Sequence, residues 1–434
     1  MTIYRAFAFS IPWIDPRLDW LLREFRLLVN KSIRIATRHD IRSRFRLARE
    51  AYADLSRDHA VYKQYIPSSF EVALGVLKAR RRSLNHGRRS GAPYVQKLML
   101  KAENQSYRLD RKTGCLQIPV RPREYITLRL TLSPWHKKFF DDERWKLGSL
   151  TIVPHKAIVI LRRHEPHPVE TRAAIGLDTN EETLDGVLAG AEGALLFTAQ
   201  LGEIRRIQAT HFLRRRKLAR KKANDRRLTQ RLLAREGHRE RNRVRQKLHL
   251  ASKQLVSLAA RRKAVIVLEA LKFTRTKDMP KTLNRRLSIW PWREIHRQIE
   301  YKAALQGVPV MKVNPGWTSK TCPVCGARRR DRVGEDFVCL KCDWEMDRQH
   351  NAGLNILKTA LASNEALARA VLVQPDALRD DVVIPLCDVL QAGGFAKDEP
   401  SGVEPDELAP TNQPRDIRQS QIEVLLCNAL SRPP

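Results

Sequence analysis

Negative charge is what this chain most conspicuously lacks. Its 434 residues carry 47 acids against 81 lysines and arginines, a formal net charge of +34. That excess is larger than surface solvation requires and implies a polyanionic partner, long nucleic acid before any other. A membrane surface is the competing partner, but no stretch approaches the roughly eighteen consecutive apolar residues of a spanning helix. The opening M-T-I-Y-R-A-F-A-F-S-I-P-W-I-D has no basic leader region and no small-residue cleavage site, and Asp15 interrupts its apolar run. Cysteine is scarce as well. Of seven, Cys115, Cys387 and Cys427 show no pairing pattern. Without an export signal, and with the remaining thiols spaced for metal, the expected compartment is reducing, hence cytoplasmic.

The acids that are present concentrate at the end. From Thr359 onward twelve acids face six bases, so the preceding 358 residues carry about +40. Pro400, Pro405, Pro410 and Pro414 punctuate this segment, and residues 361–434 are expected to be a largely disordered acidic tail. A chain of this length accommodates two to three domains, each with its own core. Ile3 to Ile11 alternates like a strand, and helical spacing then runs from Pro16 to about Asn85, ending near the basic run Arg80, Arg81, Arg82. From Pro93 to Arg163 the period falls towards two, giving short strands joined by turns. After the break at Pro166 and Pro168, A-A-I-G-L-D-T-N reads as a strand ending in Asp178. Ile204 to about Ala260 reads as a long helical stretch punctuated by Gly237. One of its faces packs, and a basic stripe with Arg214, Arg215, Arg216, Lys217, Arg220, Lys221 and Lys222 is expected to contact phosphates. K-A-V-I-V-L-E then forms a buried strand ending in Glu269.

Cys322, Cys325, Cys339 and Cys342 stand as two Cys-x-x-Cys pairs separated by thirteen residues. Two such turns supply the four soft ligands of a closed tetrahedral Zn²⁺ site; a redox pair or disulfides are the alternative. Asp178 and Glu269, at the ends of apolar strands separated by helices, and Asp347 at a helix start give the layout of a nuclease with the RNase H-like fold. Clustered carboxylates repel one another unless they hold hard divalent cations. Two Mg²⁺ ions in such a cluster activate water and stabilise the leaving oxygen of a phosphodiester. His350 reads as a surface histidine rather than a zinc ligand or base, and Trp290 and Trp292 as core aromatics rather than base-stacking platforms.

I-G-L-D, V-L-E-A-L, W-P-W-R-E-I-H-R-Q-I-E-Y-K-A-A-L-Q-G-V-P-V, T-S-K-T-C-P-V-C-G and N-A-G-L-N-I resemble the TnpB family of transposon-encoded RNA-guided nucleases, relatives of the type V CRISPR effectors. The likeness is strong from about Ala174 to Leu357, looser over the first 170 residues, and absent from the tail. It implies an α+β multidomain protein. A wedge-like β-barrel would comprise residues 1–12 and 93–165, with a helical recognition insertion at 13–92. A split RuvC-like nuclease domain would follow at 171–320 and 344–360, interrupted by a zinc ribbon at 321–343. The resemblance also implies a guide RNA, a double-stranded DNA target, a role in transposition, and a prokaryotic, nucleoid-associated setting; a homodimer is left open. Base pairing would supply most of the specificity, and the protein would hold the heteroduplex by shape and charge.

One position departs from the family pattern. Where its third catalytic acid stands, in an Asp-x-Asn-Ala motif, this chain has Gln349 within Asp347-Arg348-Gln349-His350-Asn351-Ala352-Gly353. An amide brings no charge to a Mg²⁺ site, so Asp347 is the candidate third ligand, with Glu345 an alternative. Three readings follow. The first is an RNA-guided DNA endonuclease using Asp178, Glu269 and Asp347 with Mg²⁺; the second is a nuclease-inactive RNA-guided DNA-binding protein acting as a repressor or targeting factor. The third is a DNA-strand transferase at transposon ends, for which no dedicated nucleophile stands out.

Overall fold

Alternation from Thr2 to Ser10 builds β1, which buries Phe7 and Phe9 and exposes Tyr4, Ala6 and Ala8. The computed structural model describes residues 2–12, 15–88, 91–190, 193–221, 225–272, 280–328, 334–371 and 384–385. It divides into two units, residues 1–165 and 166–434. In the first unit Asp15 caps α1 (Pro16–Arg38), its carboxylate accepting the Arg17 N–H at 2.9 Å, with Pro16 pre-set for the first turn. Leu18, Leu21, Leu22, Phe25 and Leu28 form its buried face, packed with α2 (Arg44–Asp58) and α3 (Tyr65–Asn85). Arg80, Arg81 and Arg82 lie towards the C-terminal end of α3, and Arg82 is exposed there.

The strands that follow are β2 (Leu100–Ala102), β3 (Arg108–Leu109), β4 (Cys115–Arg121) and β5 (Glu124–Arg129). Helix α4 (Pro134–Phe140), β6 (Lys146–Val153) and β7 (Lys156–His164) complete the unit. They form a four-stranded sheet in the order β1-β7-β6-β2 and a three-stranded sheet β3-β4-β5. The expected barrel is therefore not closed among the described residues. β2 has three residues and β3 two, too short to carry a ladder from one sheet into the other.

The second unit is built on β8 (Ala173–Thr179), β9 (Thr183–Gly190), β10 (Gly193–Gln200), β11 (Ala264–Glu269) and β12 (Val310–Val313). Together with β15 (Ile384–Pro385) they make a six-stranded sheet in the order β12-β11-β8-β9-β10-β15. β8, β9 and β10 are antiparallel neighbours, whereas β11 runs parallel to both β8 and β12. β11 is buried along its whole length, as its unbroken apolar run requires. One sheet face packs against α6 (Arg226–Arg261) and α8 (Trp292–Gln306) through Ile175, Leu177, Ile266 and Leu268. The expected single helical stretch is two helices, α5 (Ile204–Lys221) and α6; Asp225 caps α6 by accepting from Leu228 N–H, and Gly237 lies inside α6. α7 (Lys281–Ile289) precedes α8.

The other face carries Ala174, Val187, Val265 and Val267 and is covered by α9 (Arg348–Ser363). Gly176 is what lets α9 come so near: a Cβ there would stand 2.2 Å from the Gly353 carbonyl oxygen and 2.7 Å from Leu357 Cβ. Ordered helix continues past the expected limit at residue 360, through α10 (Glu365–Ala370), because Leu361, Leu367, Ala368 and Val371 are buried in the same core. Apart from the backbone of Ile384 and Pro385, the rest of the expected acidic tail lies outside the described residues. Among the described residues no helix is long and apolar enough to cross a membrane. Gly176→Ala is expected to cost about 1–3 kcal/mol by overpacking, read as a lowered thermal midpoint; a midpoint equal to wild type contradicts the close β8–α9 approach.

Candidate active site and metal centre

Asp178 is the last residue but one of β8, and Glu269 closes β11. Because these strands are parallel with Leu177 opposite Leu268, both acids leave the same sheet edge as neighbours. The hairpin between β8 and β9 sets Asp185 directly opposite Asp178, and β10 sets Thr198 opposite Asp185. Side chains at opposed positions share a face, so Glu269, Asp178 and Asp185 form a row on the face that α9 covers. Asp185 is the member of this row that the sequence reading did not single out. The turn closed by Asn180 N–H to Thr183 O at 3.0 Å fixes the register that pairs the two aspartates.

Neutral donors orient this row. Asn180 Nδ2 donates to Asp178 at 3.0 Å and Asp185 at 2.9 Å, bridging them. Thr183 and Thr198 hydroxyls donate to Asp185 at 2.6 and 2.8 Å, and Thr318 donates to Glu269 at 2.6 Å. Among the described residues no lysine or arginine pairs with any of the three. Burial, with the charges of Glu269 and Asp185, pushes the Asp178 carboxyl up to about 7. Burial also raises Asp185 and Glu269. Asp185 and Glu269 are buried and Asp178 half-buried, with the His350 ring the one cationic neighbour of Asp185 among the described residues. Such a row is a donor set suited to hard divalent cations, which take carboxylate oxygens and supply the missing charge.

Asp347 is occupied differently. It is the N-cap of α9, and its Oδ1 accepts from Gln349 N at 3.0 Å, His350 N at 2.9 Å and His350 Nδ1 at 2.9 Å. Burial opposes ionisation, but these bonds and the His350 charge hold Asp347 below the usual carboxylate range. His350 is buried, not the surface histidine expected, because α9 lays it over β10, its Nε2 3.4 Å from both Thr198 Oγ1 and the Phe197 carbonyl. Burial pulls its pKa down, but Asp347 and the Asp185 charge outweigh this and raise it. Gln349 is half-buried in the first turn of α9, and Glu345 is exposed. Trp290 and Trp292 are half-buried rather than core residues, and Trp290 Nε1 donates to the Asn180 carbonyl at 3.0 Å. This indole is anchored on the loop that bears the bridging amide.

The four cysteines converge. Their sulfurs all lie within 4.8 Å of one another, with Cys322–Cys342 at 3.6 Å and Cys325–Cys339 at 3.5 Å. Tetrahedral zinc with bonds of about 2.3 Å sets its sulfurs about 3.8 Å apart, so the donors fit the metal. No other group of three or more potential ligands converges this tightly among the described residues, the three acids included. The two knuckles share one backbone pattern. Gly326 N–H bonds Cys322 O and Asp343 N–H bonds Cys339 O, both at 3.0 Å, with Gly326 and Asp343 in the left-handed region. From the second knuckle the hairpin β13 (Asp336–Val338) and β14 (Glu345–Asp347) runs straight into α9. Asn355 Nδ2 donates to Thr318 O and Thr321 O at 2.8 Å, and Asn351 Nδ2 to Thr321 O at 3.1 Å, lashing the ribbon's entry to the same helix.

Of the basic stripe, Arg214, Arg216, Lys217, Arg220 and Lys221 are exposed on α5, and Arg215 is half-buried against Glu240. Lys222 lies outside the described residues.

Residues 292–356 match the Cas12f1-like TNB domain family. The chain is 30% identical over 251 residues to the TnpB-like protein MJ0751 of Methanocaldococcus jannaschii, covering 56% of this chain and 90% of that one. It is 34% identical over 84 residues to the CRISPR-associated endodeoxyribonuclease Cas12f1 of an uncultured archaeon, covering 18% of this chain and 16% of that one. Its fold resembles Cas12f1 in a Cas12f1–sgRNA–target DNA complex, with a TM-score of 0.52 at 15% identity over 79% of this chain and 83% of that one. The mini-RNA-guided endonuclease CRISPR-Cas_phi3 is similar at a TM-score of 0.51 and 10% identity, over 83% and 92%.

Two outcomes are expected. The purified chain carries about one zinc, and Cys339→Ser loses it together with thermal stability; unchanged metal content and midpoint contradict a structural ribbon. The second concerns pH. An acid whose folded pKa is raised contributes stability below its unfolded value, near 4, that is lost as pH rises through about 7. Metal-free wild type therefore loses more midpoint between pH 5 and 8 than Asp178→Asn does; parallel profiles contradict the raised Asp178 carboxyl.

Proposed function

The chain belongs to the TnpB family, relatives of the type V effectors, and from that premise we propose that it is a metal-dependent RNA-guided DNA endonuclease. The observation that carries the proposal is the row Glu269–Asp178–Asp185 beneath the start of α9, in the family whose named relatives include endodeoxyribonucleases. Asp178 and Glu269 would hold Mg²⁺, with Asp347 the candidate third ligand. Divalent cations at such a site activate water and stabilise the leaving oxygen of a phosphodiester. Asn180 and Thr318 keep the two acids oriented through their hydrogen bonds. The Asp347–His350 pair fixes the start of α9 over the row. Basic residues on α5, and Arg80–Arg82 on α3, would contact the backbones of a guide RNA and a DNA duplex, and the ribbon would steer the target strand towards the row.

A second reading rests on Gln349. No acid stands at that position, and one oxygen of Asp347 already accepts three hydrogen bonds within α9. A site short of one charge would bind guide and target without cutting. Co-purifying the protein with co-expressed RNA and challenging a matching duplex with Mg²⁺ separates the two. The endonuclease reading expects cutting by wild type that Asp178→Ala reduces by about a hundredfold or more. Binding without cutting, with cleavage appearing in Gln349→Asp, establishes the second reading. Failure to retain any RNA overturns both.

A further inference from the structure

The α5–α6 pair carries another charged constellation. α5 has eight bases and no acid; α6 has eleven bases and two acids, Glu236 and Glu240. Both acids face α5. Glu240 pairs with Arg215, and Glu236 accepts from His211 Nδ1 at 2.8 Å. His211 and Glu236 are only 1% and 6% exposed. The other ring nitrogen of His211, Nε2, is buried without a hydrogen-bond partner, a condition interiors avoid unless something else completes the site.

A cavity of about 510 Å³ lies against that ring, lined by His211, Arg214, Arg239, Asn242 and Arg243. Arg214 and Arg239 each stand 3.7 Å from the Glu236 carboxylate. Burial pushes Glu236 up, but the His211 bond and these two guanidiniums outweigh it and keep the group ionised. Three arginines against one carboxylate leave the cavity net positive even with a neutral imidazole. With Nδ1 held by the Glu236 carboxylate, Nε2 is the ring nitrogen left to meet an anion in the cavity.

We propose that this cavity seats one backbone phosphate of a bound nucleic acid, with His211 Nε2 donating to one oxygen and Arg239 and Arg243 to the others. The identity of the ligand rests on the nucleic-acid-binding reading above; the anion chemistry does not. Phosphate suits the site better than a carboxylate, offering oxygens in several directions to donors that come from both helices. Its polymer context follows from the large excess of bases along α5 and α6 on either side of the cavity.

Two measurements on the full chain test the seat. In ¹⁵N-histidine NMR spectra, added inorganic phosphate shifts the His211 ring nitrogens in wild type and leaves them unmoved in Arg239→Gln/Arg243→Gln. No shift at His211 with saturating phosphate overturns the seat. With the co-purified RNA, the same double variant lowers the slope of log affinity against log salt by about 0.7, the value for one phosphate on a single strand. The exposed control Arg369→Gln does not. Unchanged slopes, with RNA still bound, overturn the phosphate assignment. A phosphate response in a protein that binds no RNA overturns the guide-RNA reading instead and keeps an anion seat.

Discussion

Repulsion within a row of buried and half-buried carboxylates is the constraint around which the second unit is arranged. The register of three adjacent strands forces Glu269, Asp178 and Asp185 side by side on one face, and among the described residues no lysine or arginine pairs with them. Neutral donors can orient such groups but cannot remove their charge; burial first, and then the charges of Glu269 and Asp185, push the Asp178 carboxyl up to about 7. Apolar substitution of the row would relieve that repulsion and improve packing; its presence is therefore better explained by a cationic ligand than by stability.

The remaining elements bring other groups to that face. Gly176 and Gly353 let α9 lie close over β8, which sets the first turn of α9, with Gln349 and His350, over the row. Asn351 and Asn355, one helical turn apart, tie the ribbon's entry to α9, while β14 ties its exit to the Asp347 cap. Cys322, Cys339, Trp344 and Met346 share a core with Ala174 and Leu357. The four-cysteine cluster thus braces the start of α9, where Asp347 and His350 stand.

Much of this was legible in the chain because the signals are local. An apolar strand that ends in an acid announces itself, as do two Cys-x-x-Cys turns, and Asp178, Glu269 and the four cysteines stand where those patterns put them. Asp185 was missed because its role arises from pairing across a hairpin, which needs the register rather than the composition. His350 was misread for a similar reason: a histidine in a polar segment looks exposed until the Gly176–Gly353 approach buries it. The helix break before α6 escaped because the basic pattern continues through it, while the Asp225 cap is a single-residue signal. The four- and three-stranded sheets of the first unit were visible as strands, but their division depended on strand lengths that the alternation alone does not give.

The central claim is that the carboxylate row is a divalent-cation site, and Mn²⁺ binding to the nucleic-acid-free, zinc-loaded protein tests it most directly. Titration followed by electron paramagnetic resonance at pH 8 is expected to reveal bound Mn²⁺ that Mg²⁺ displaces and that is lost in both Asp178→Asn and Glu269→Gln. Mn²⁺ binding that is undiminished in those two variants would contradict the account.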